Sequence, residues 1–233
     1  MSFGADHPLC PICRGRMVQG IPGTGGWACI THGDFVANAG TPASATVASA
    51  GDPDGGSHVP GDVLTVVGGR QADGDSAATF DVATTKVIRA TVVGAGSGGD
   101  DGVGTVVGTT GTGTMFSLSV TVSGGEIAAI DEIAVAGSYS VNPTDVTVEP
   151  VTGAGLTGAT VALVMGVETV AFDATDDYTS EPTDPAATTS DGAGSGCTLH
   201  VFCDRVSITL GTDIQAVAES ASGATAGDLV VGL

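Results

Sequence analysis

The sequence predicts an all-β chain: a small cysteine-bearing head, residues 1–36, followed by a long body, 37–233, built from tandem glycine-rich modules of short antiparallel strands. Three observations carry this. Runs such as Val63-Leu64-Thr65-Val66-Val67, Lys86 to Val93 and Leu118-Ser119-Val120-Thr121-Val122 are β-branched or alternate with the period of a half-buried strand. Gly-Gly, Ser-Gly and Asp-Gly turn signals lie between them. No segment offers the i, i+3, i+4, i+7 stripe of an amphipathic helix, and even Asp213 to Glu219 reads as strand in its context. Helix content is therefore expected near zero. With 38 glycines and only 4% aromatic residues among 42% hydrophobic ones, the chain should fold into thin layers of Val and Ala.

The head ends at a composition break near residue 37. Before it lie Cys10-Pro11-Ile12-Cys13 and Cys29-Ile30-Thr31-His32, a C-x2-C and a C-x2-H separated by fifteen residues. Tetrahedral zinc takes four such ligands, and two tight knuckles joined by a hairpin deliver them at this spacing. Gly15 and Gly33 permit the turn after each knuckle, and Trp27 is expected to cover the small core. The pattern resembles a zinc ribbon, with Cys10, Cys13, Cys29 and His32 as ligands. Four protein ligands fill the shell, so the ion is read as structural; a disulfide or free thiols are the alternatives. Arg14 and Arg16 are the head's only permanent cations, which favours docking to a protein over binding nucleic acid.

The body carries two markers. Ala78-Thr79-Phe80-Asp81-Val82, Thr114-Met115-Phe116-Ser117-Leu118, Ala159-Thr160-Val161-Ala162-Leu163 and Cys197-Thr198-Leu199-His200-Val201 place apolar side chains at their third and fifth positions, three of them after Gly113, Gly158 or Gly196. Pro60-Gly61-Asp62, Pro143-Thr144-Asp145, Pro182-Thr183-Asp184 and Ala226-Gly227-Asp228 are expected at turns, with Val103-Gly104-Thr105 at the missing place. The spacing gives about four degenerate units of roughly 40 residues. Ser138 to Asp145 aligns with Asp177 to Asp184 without a gap and matches Tyr139 to Tyr178.

The strings Gly61-Asp62-Val63-Leu64-Thr65-Val66-Val67-Gly68-Gly69 and Gly137-Ser138-Tyr139-Ser140-Val141-Asn142-Pro143-Thr144 resemble glycine-rich repeats in structural proteins of tailed phages and related viruses, haloarchaeal ones included. Over residues 45 to 233 the resemblance implies a virion structural protein, head-associated as a decoration, turret or fibre component. Its implied partners are copies of itself, as trimer or pentamer, and other virion proteins such as the major capsid protein. The zinc ribbon is then the docking end. Assembly in the host cytoplasm keeps its thiols reduced, and the virion is the final location. A tail or baseplate component, a cell-surface adhesin or filament subunit, and a cytoplasmic adaptor are the alternatives.

Charge and motifs narrow the remaining classes. With 26 acidic against 6 basic residues, a net charge of −20 argues against nucleic acid as a partner. It suits either a high-salt habitat or an ordinary acidic surface. No apolar run reaches the roughly 18 residues of a membrane helix, and the first residues lack a secretory pattern, so no membrane association is expected. Asp52/Asp54, Asp73/Asp75, Asp100/Asp101 and Asp173/Asp176/Asp177 could hold Ca2+ or Mg2+ in their loops, but match no calcium motif and read better as turn residues. Cys197, His200 and Cys203 cannot share one ion along a strand, and the cysteines read as inert core residues. With no nucleophile elbow, no phosphate loop and no partner evident for His58 or His200, no enzymatic activity is expected.

Overall fold

The computed structural model describes residues 18–19, 27–29, 33–35, 41–71, 76–174 and 178–204. Among them there is no helix, as the missing apolar stripe predicts. In the head, β1 (Val18–Gln19), β2 (Trp27–Cys29) and β3 (Gly33–Phe35) form a three-stranded antiparallel sheet in that order.

The body begins with β4 (Thr41–Ala50), β5 (Val63–Val66) and β6 (Arg70–Gln71), then the long β7 (Thr79–Ser97). Next come β8 (Gly102–Gly108), β9 (Thr112–Thr114), β10 (Ser117–Ser123), β11 (Glu126–Val135), β12 (Ser138–Val141) and β13 (Glu149–Gly153). A second long strand, β14 (Thr157–Ala174), precedes β15 (Tyr178–Ser180), β16 (Ala186–Ser190) and β17 (Cys197–Asp204). The principal sheet runs β11-β10-β8-β13-β14-β7-β5-β16-β17-β4, with β12 on β7 and β9; β15 pairs with β6. All these pairs are antiparallel.

The backbone of the body is the ribbon of β7 and β14, paired from Thr79↔Ala174 to Ser97↔Thr157. Two separate buried cores form along it. The distal core contains Val106, Phe116, Leu118, Val120, Val161 and Met165. The proximal core contains Leu64, Phe80, Val82, Val167, Tyr178 and Leu199. Strand β10 shows why its sequence takes this form: Leu118, Val120 and Val122 are buried while Ser117, Ser119 and Thr121 stay half-exposed. Each such Val or Leu contributes about 1.5–3 kcal/mol on burial, offsetting the entropy of ordering a glycine-rich chain.

The two lobes repeat one pairing scheme. Val63↔Asp81, Leu64↔Phe80 and Thr65↔Thr79 in the proximal lobe match Thr105↔Ser119, Val106↔Leu118 and Val107↔Ser117 in the distal one. Ala186↔Leu199 and Ala187↔Thr198 match Glu149↔Val161 and Pro150↔Thr160. The correspondence extends to bulges: Thr198↔Ser49 steps to Leu199↔Val47, and Thr160↔Gly94 steps to Val161↔Val92. The distal lobe is continuous, residues 86–165, whereas the proximal lobe comes from 41–82 and 167–204. One lobe is thus inserted within the other, and β7 and β14 are the two crossings.

One local expectation is corrected. Val103-Gly104-Thr105 lies inside β8, paired to Thr121, Val120 and Ser119, rather than at a turn. Its β-branched ends satisfy a central strand, and the glycine is accommodated between them. Pro60-Gly61-Asp62, Pro143-Thr144-Asp145 and Pro182-Thr183-Asp184 do lie between strands. Ala226-Gly227-Asp228 and Asp213 to Glu219 fall outside the described residues.

Candidate functional site at the junction of the lobes

The crossing point of the two lobes, near Thr85 on β7 and Met165 on β14, is covered by the segment 51–62 that links β4 to β5. Its attachments are polar and specific. The His58 amide donates to the Met165 carbonyl at 2.8 Å, and the Met165 amide donates to Ser57 Oγ at 3.0 Å. From the distal lobe, Asn142 Nδ2 donates to the His58 carbonyl at 2.8 Å, while Asn142 Oδ1 accepts from Thr85 Oγ1. Arg89 closes the outer side, its Nη1 2.6 Å from Asp54 Oδ1 and 3.3 Å from the Pro53 carbonyl. The inner end is tied to the proximal lobe by Gly61 N to Val82 O and Val82 N to Asp62 O, both 2.8 Å.

His58 sits beneath this segment with 1% exposure, and neither ring nitrogen has a hydrogen-bond partner. Asp62 Oδ2 lies 3.8 Å from Nδ1 and is already the acceptor for Val59 N. Gly194 packs against the ring so closely that a side chain there would collide with it. Burial lowers the His58 pKa from its ordinary value, and the Asp62 charge and the Ser195 carbonyl oppose that shift without reversing it. Burial thus favours the neutral imidazole.

Asp62, His58 and Ser195 are the residue types of a nucleophilic triad, but their geometry is not that of one. Ser195 turns its carbonyl toward the space between Gly51 and the imidazole, while its hydroxyl faces Gly55. The ring is a titratable group shielded from solvent at the junction of the lobes.

The sequence-predicted zinc ligands Cys10, Cys13 and His32 lie outside the described residues, as does the Cys29 side chain; the Cys29 backbone pairs with Gly33. Among the Asp-rich loops, Asp73, Asp75, Asp176 and Asp177 also lie outside. Four of the others have side-chain partners: Asp52 Oδ1 accepts from Asp54 N, Asp54 Oδ1 from Arg89 Nη1, Asp101 Oδ1 from Gly125 N, and Asp173 Oδ2 from Thr79 Oγ1. No group of three or more His, Cys, Asp or Glu among the described residues is arranged to hold a metal. Cys197 is buried and Cys203 only half-buried, so the expectation of an inert core thiol fits the first better than the second. His200, expected without a partner, has one: its Nδ1 lies 2.8 Å from Asp184 Oδ1. The partner comes from the loop before β16, sixteen residues away, which strand periodicity does not foretell.

A buried acid escaped sequence reasoning altogether. Glu149 is fully buried at the start of β13, where its carboxylate accepts the amides of Thr109 and Thr110, both at 2.8 Å, and the Thr110 hydroxyl. It fixes the turn between β8 and β9 from below.

No family model, curated protein or solved structure matches this chain.

Proposed function

We propose that the chain is a virion structural protein, a head-associated decoration, turret or fibre component of a tailed virus, that assembles with copies of itself and docks through its N-terminal head. The observation that supports this is the nested pair of lobes on one continuous ribbon. Two small cores of Val, Leu and Ala around a Phe and a Tyr each, both fed by the same two long strands, make a scaffold whose parts stabilise one another through shared backbone pairing. Such a build suits a projecting spacer. The repeat pattern read from the sequence, about four units of roughly 40 residues, belongs to the same proposal, as does a structural Zn2+ held by Cys10, Cys13, Cys29 and His32.

Mass spectrometry of purified particles, together with native mass of the recombinant chain, tests the reading. It expects the chain in the particle fraction and a trimer or pentamer in solution. A monomer confined to the soluble cell fraction overturns it. A zinc assay expects about one ion per chain, lost in Cys13→Ser together with particle attachment.

A further inference from the structure

We propose that the segment 51–62 is a pH-sensitive clamp between the two lobes: a neutral His58 keeps it closed, and protonation of that imidazole releases it from Met165 and Asn142. The clamp is independent of the virion reading, since it rests on the geometry of the junction alone.

Three features place the device here. The segment is the polar tie between the lobes that involves both at once: Ser57 and His58 bond Met165 at the crossing of the ribbon, and Asn142 reaches His58 from the distal lobe. The ring beneath is 1% exposed and neither nitrogen makes a hydrogen bond within normal geometry, so the cost of burying its charged form is only partly offset. A second proton finds the Asp62 carboxylate no nearer than 3.8 Å and already accepting from Val59 N, and opening to water provides the ring with full solvation.

The charges around the ring decide the sign. On its own segment, Asp62 lies 3.8 Å away, and Asp54 is occupied by Arg89. From the 191–196 segment, Gly194 and Ser195 face the ring, while the Asp191 carboxylate accepts from Val63 N. β14 contributes Met165 and β7 contributes Thr85 and Arg89, the last turned outward to Asp54 and Pro53. The Asp62 charge and the Ser195 carbonyl favour the charged ring, and burial outweighs both. A histidine whose folded pKa is depressed favours the closed state fully above the free value of about 6.5. That contribution is lost as pH falls below it toward the closed-state value.

Hydrogen exchange on the full chain, corrected for intrinsic rates, reads the clamp directly. Protection of the His58 and Met165 amides should fall by up to tenfold per pH unit below about 6.5, the slope of one-proton linkage. Amides in the middle of β10 should not follow. His58→Gln should abolish the slope. Should that variant fail to fold, Asp62→Asn provides the second test: removing the neighbouring carboxylate deepens the loss and carries it to lower pH. Protection that stays flat from pH 7.5 to 5, a slope that survives His58→Gln, or an unchanged profile in Asp62→Asn overturns the proposal.

Discussion

Tyr139 and Tyr178 fill the same position in the two lobes: each is fully buried, and each hydroxyl accepts the backbone amide just before an earlier core strand, Phe116 N ahead of β10 at 2.8 Å for Tyr139 and Ala78 N ahead of β7 at 3.0 Å for Tyr178. Each ring also lies on a glycine of positive φ, Gly111 at 94° and Gly69 at 72°. A Cβ at Gly111 would come within 2.9 Å of the Tyr139 ring, and one at Gly69 within 2.5 Å of the Tyr178 ring. Tyr139→Phe and Tyr178→Phe each leave one buried amide unpaired, for an expected loss of about 1–3 kcal/mol. Gly111→Ala and Gly69→Ala should cost at least as much, because the space is filled and the backbone conformation disfavours alanine. Denaturant midpoints check all four; a Tyr→Phe variant as stable as the parent shows that the hydroxyl is not an anchor.

Glu149 has no equivalent acid in the proximal lobe, where the matching position is Ala186. Its carboxylate satisfies the amides of Thr109 and Thr110, so Glu149→Ala leaves two part-buried donors without their acceptor and opens a cavity where the buried side chain stood. The expected loss is about 3 kcal/mol or more, concentrated in the distal lobe. Exchange protection of β8 and β13 should fall well before that of β5 and β16. A uniform loss across both lobes would mean that the carboxylate does not act locally.

The strand content was legible because the apolar alternation survives in short runs. Phe80 and Val82, Phe116 and Leu118, and Val161 and Leu163 all point inward, as their third and fifth places predict. The correspondence of Tyr139 with Tyr178 was legible too, from the Pro-Thr-Asp that follows each at the same distance. The nesting was not: a spacing of about 40 residues is the same whether units follow one another or one lies inside the other, and only the registers of β7 and β14 distinguish them. The junction was illegible for a related reason. His58 reads as one more turn residue, since the contacts that bury it come from Met165, Gly194 and Asp62, of which only Asp62 is close in sequence. Glu149 was hidden likewise, because partners forty residues away leave no local signature.

The two cysteines of β17 should differ in reactivity. Burial pushes the Cys197 thiol up to about 11, so at pH 8 about a thousandth of it is thiolate, and that fraction is sealed in the proximal core. Cys203, paired with Pro42 near the end of the strand, is only half-buried. Brief iodoacetamide treatment of the native chain at pH 8, followed by peptide mass mapping, should label Cys203 and leave Cys197 unmodified until denaturant is added. Equal labelling of both would show that the core around Leu199 opens readily.

The charge balance makes a prediction about salt. Twenty excess negative charges repel one another across a body whose described cations are Arg70, Lys86 and Arg89, and Arg89 is already spent on Asp54 in an exposed pair worth at most about 1 kcal/mol. Raising NaCl from 0.1 M to 1 M shortens the screening length from about 10 Å to about 3 Å, which removes most of the repulsion and little of the short-range pairing. Stability should therefore rise with salt; a gain of about 2 kcal/mol reads as roughly 4–8 °C in Tm for a chain of this size. Glu126 and Glu132 are exposed along β11, so Glu126→Lys with Glu132→Lys should stabilise the chain at low salt and flatten its salt response. A melting temperature that does not move between 0.1 and 2 M NaCl, with these substitutions neutral, would mean that the acidic surface serves solubility alone.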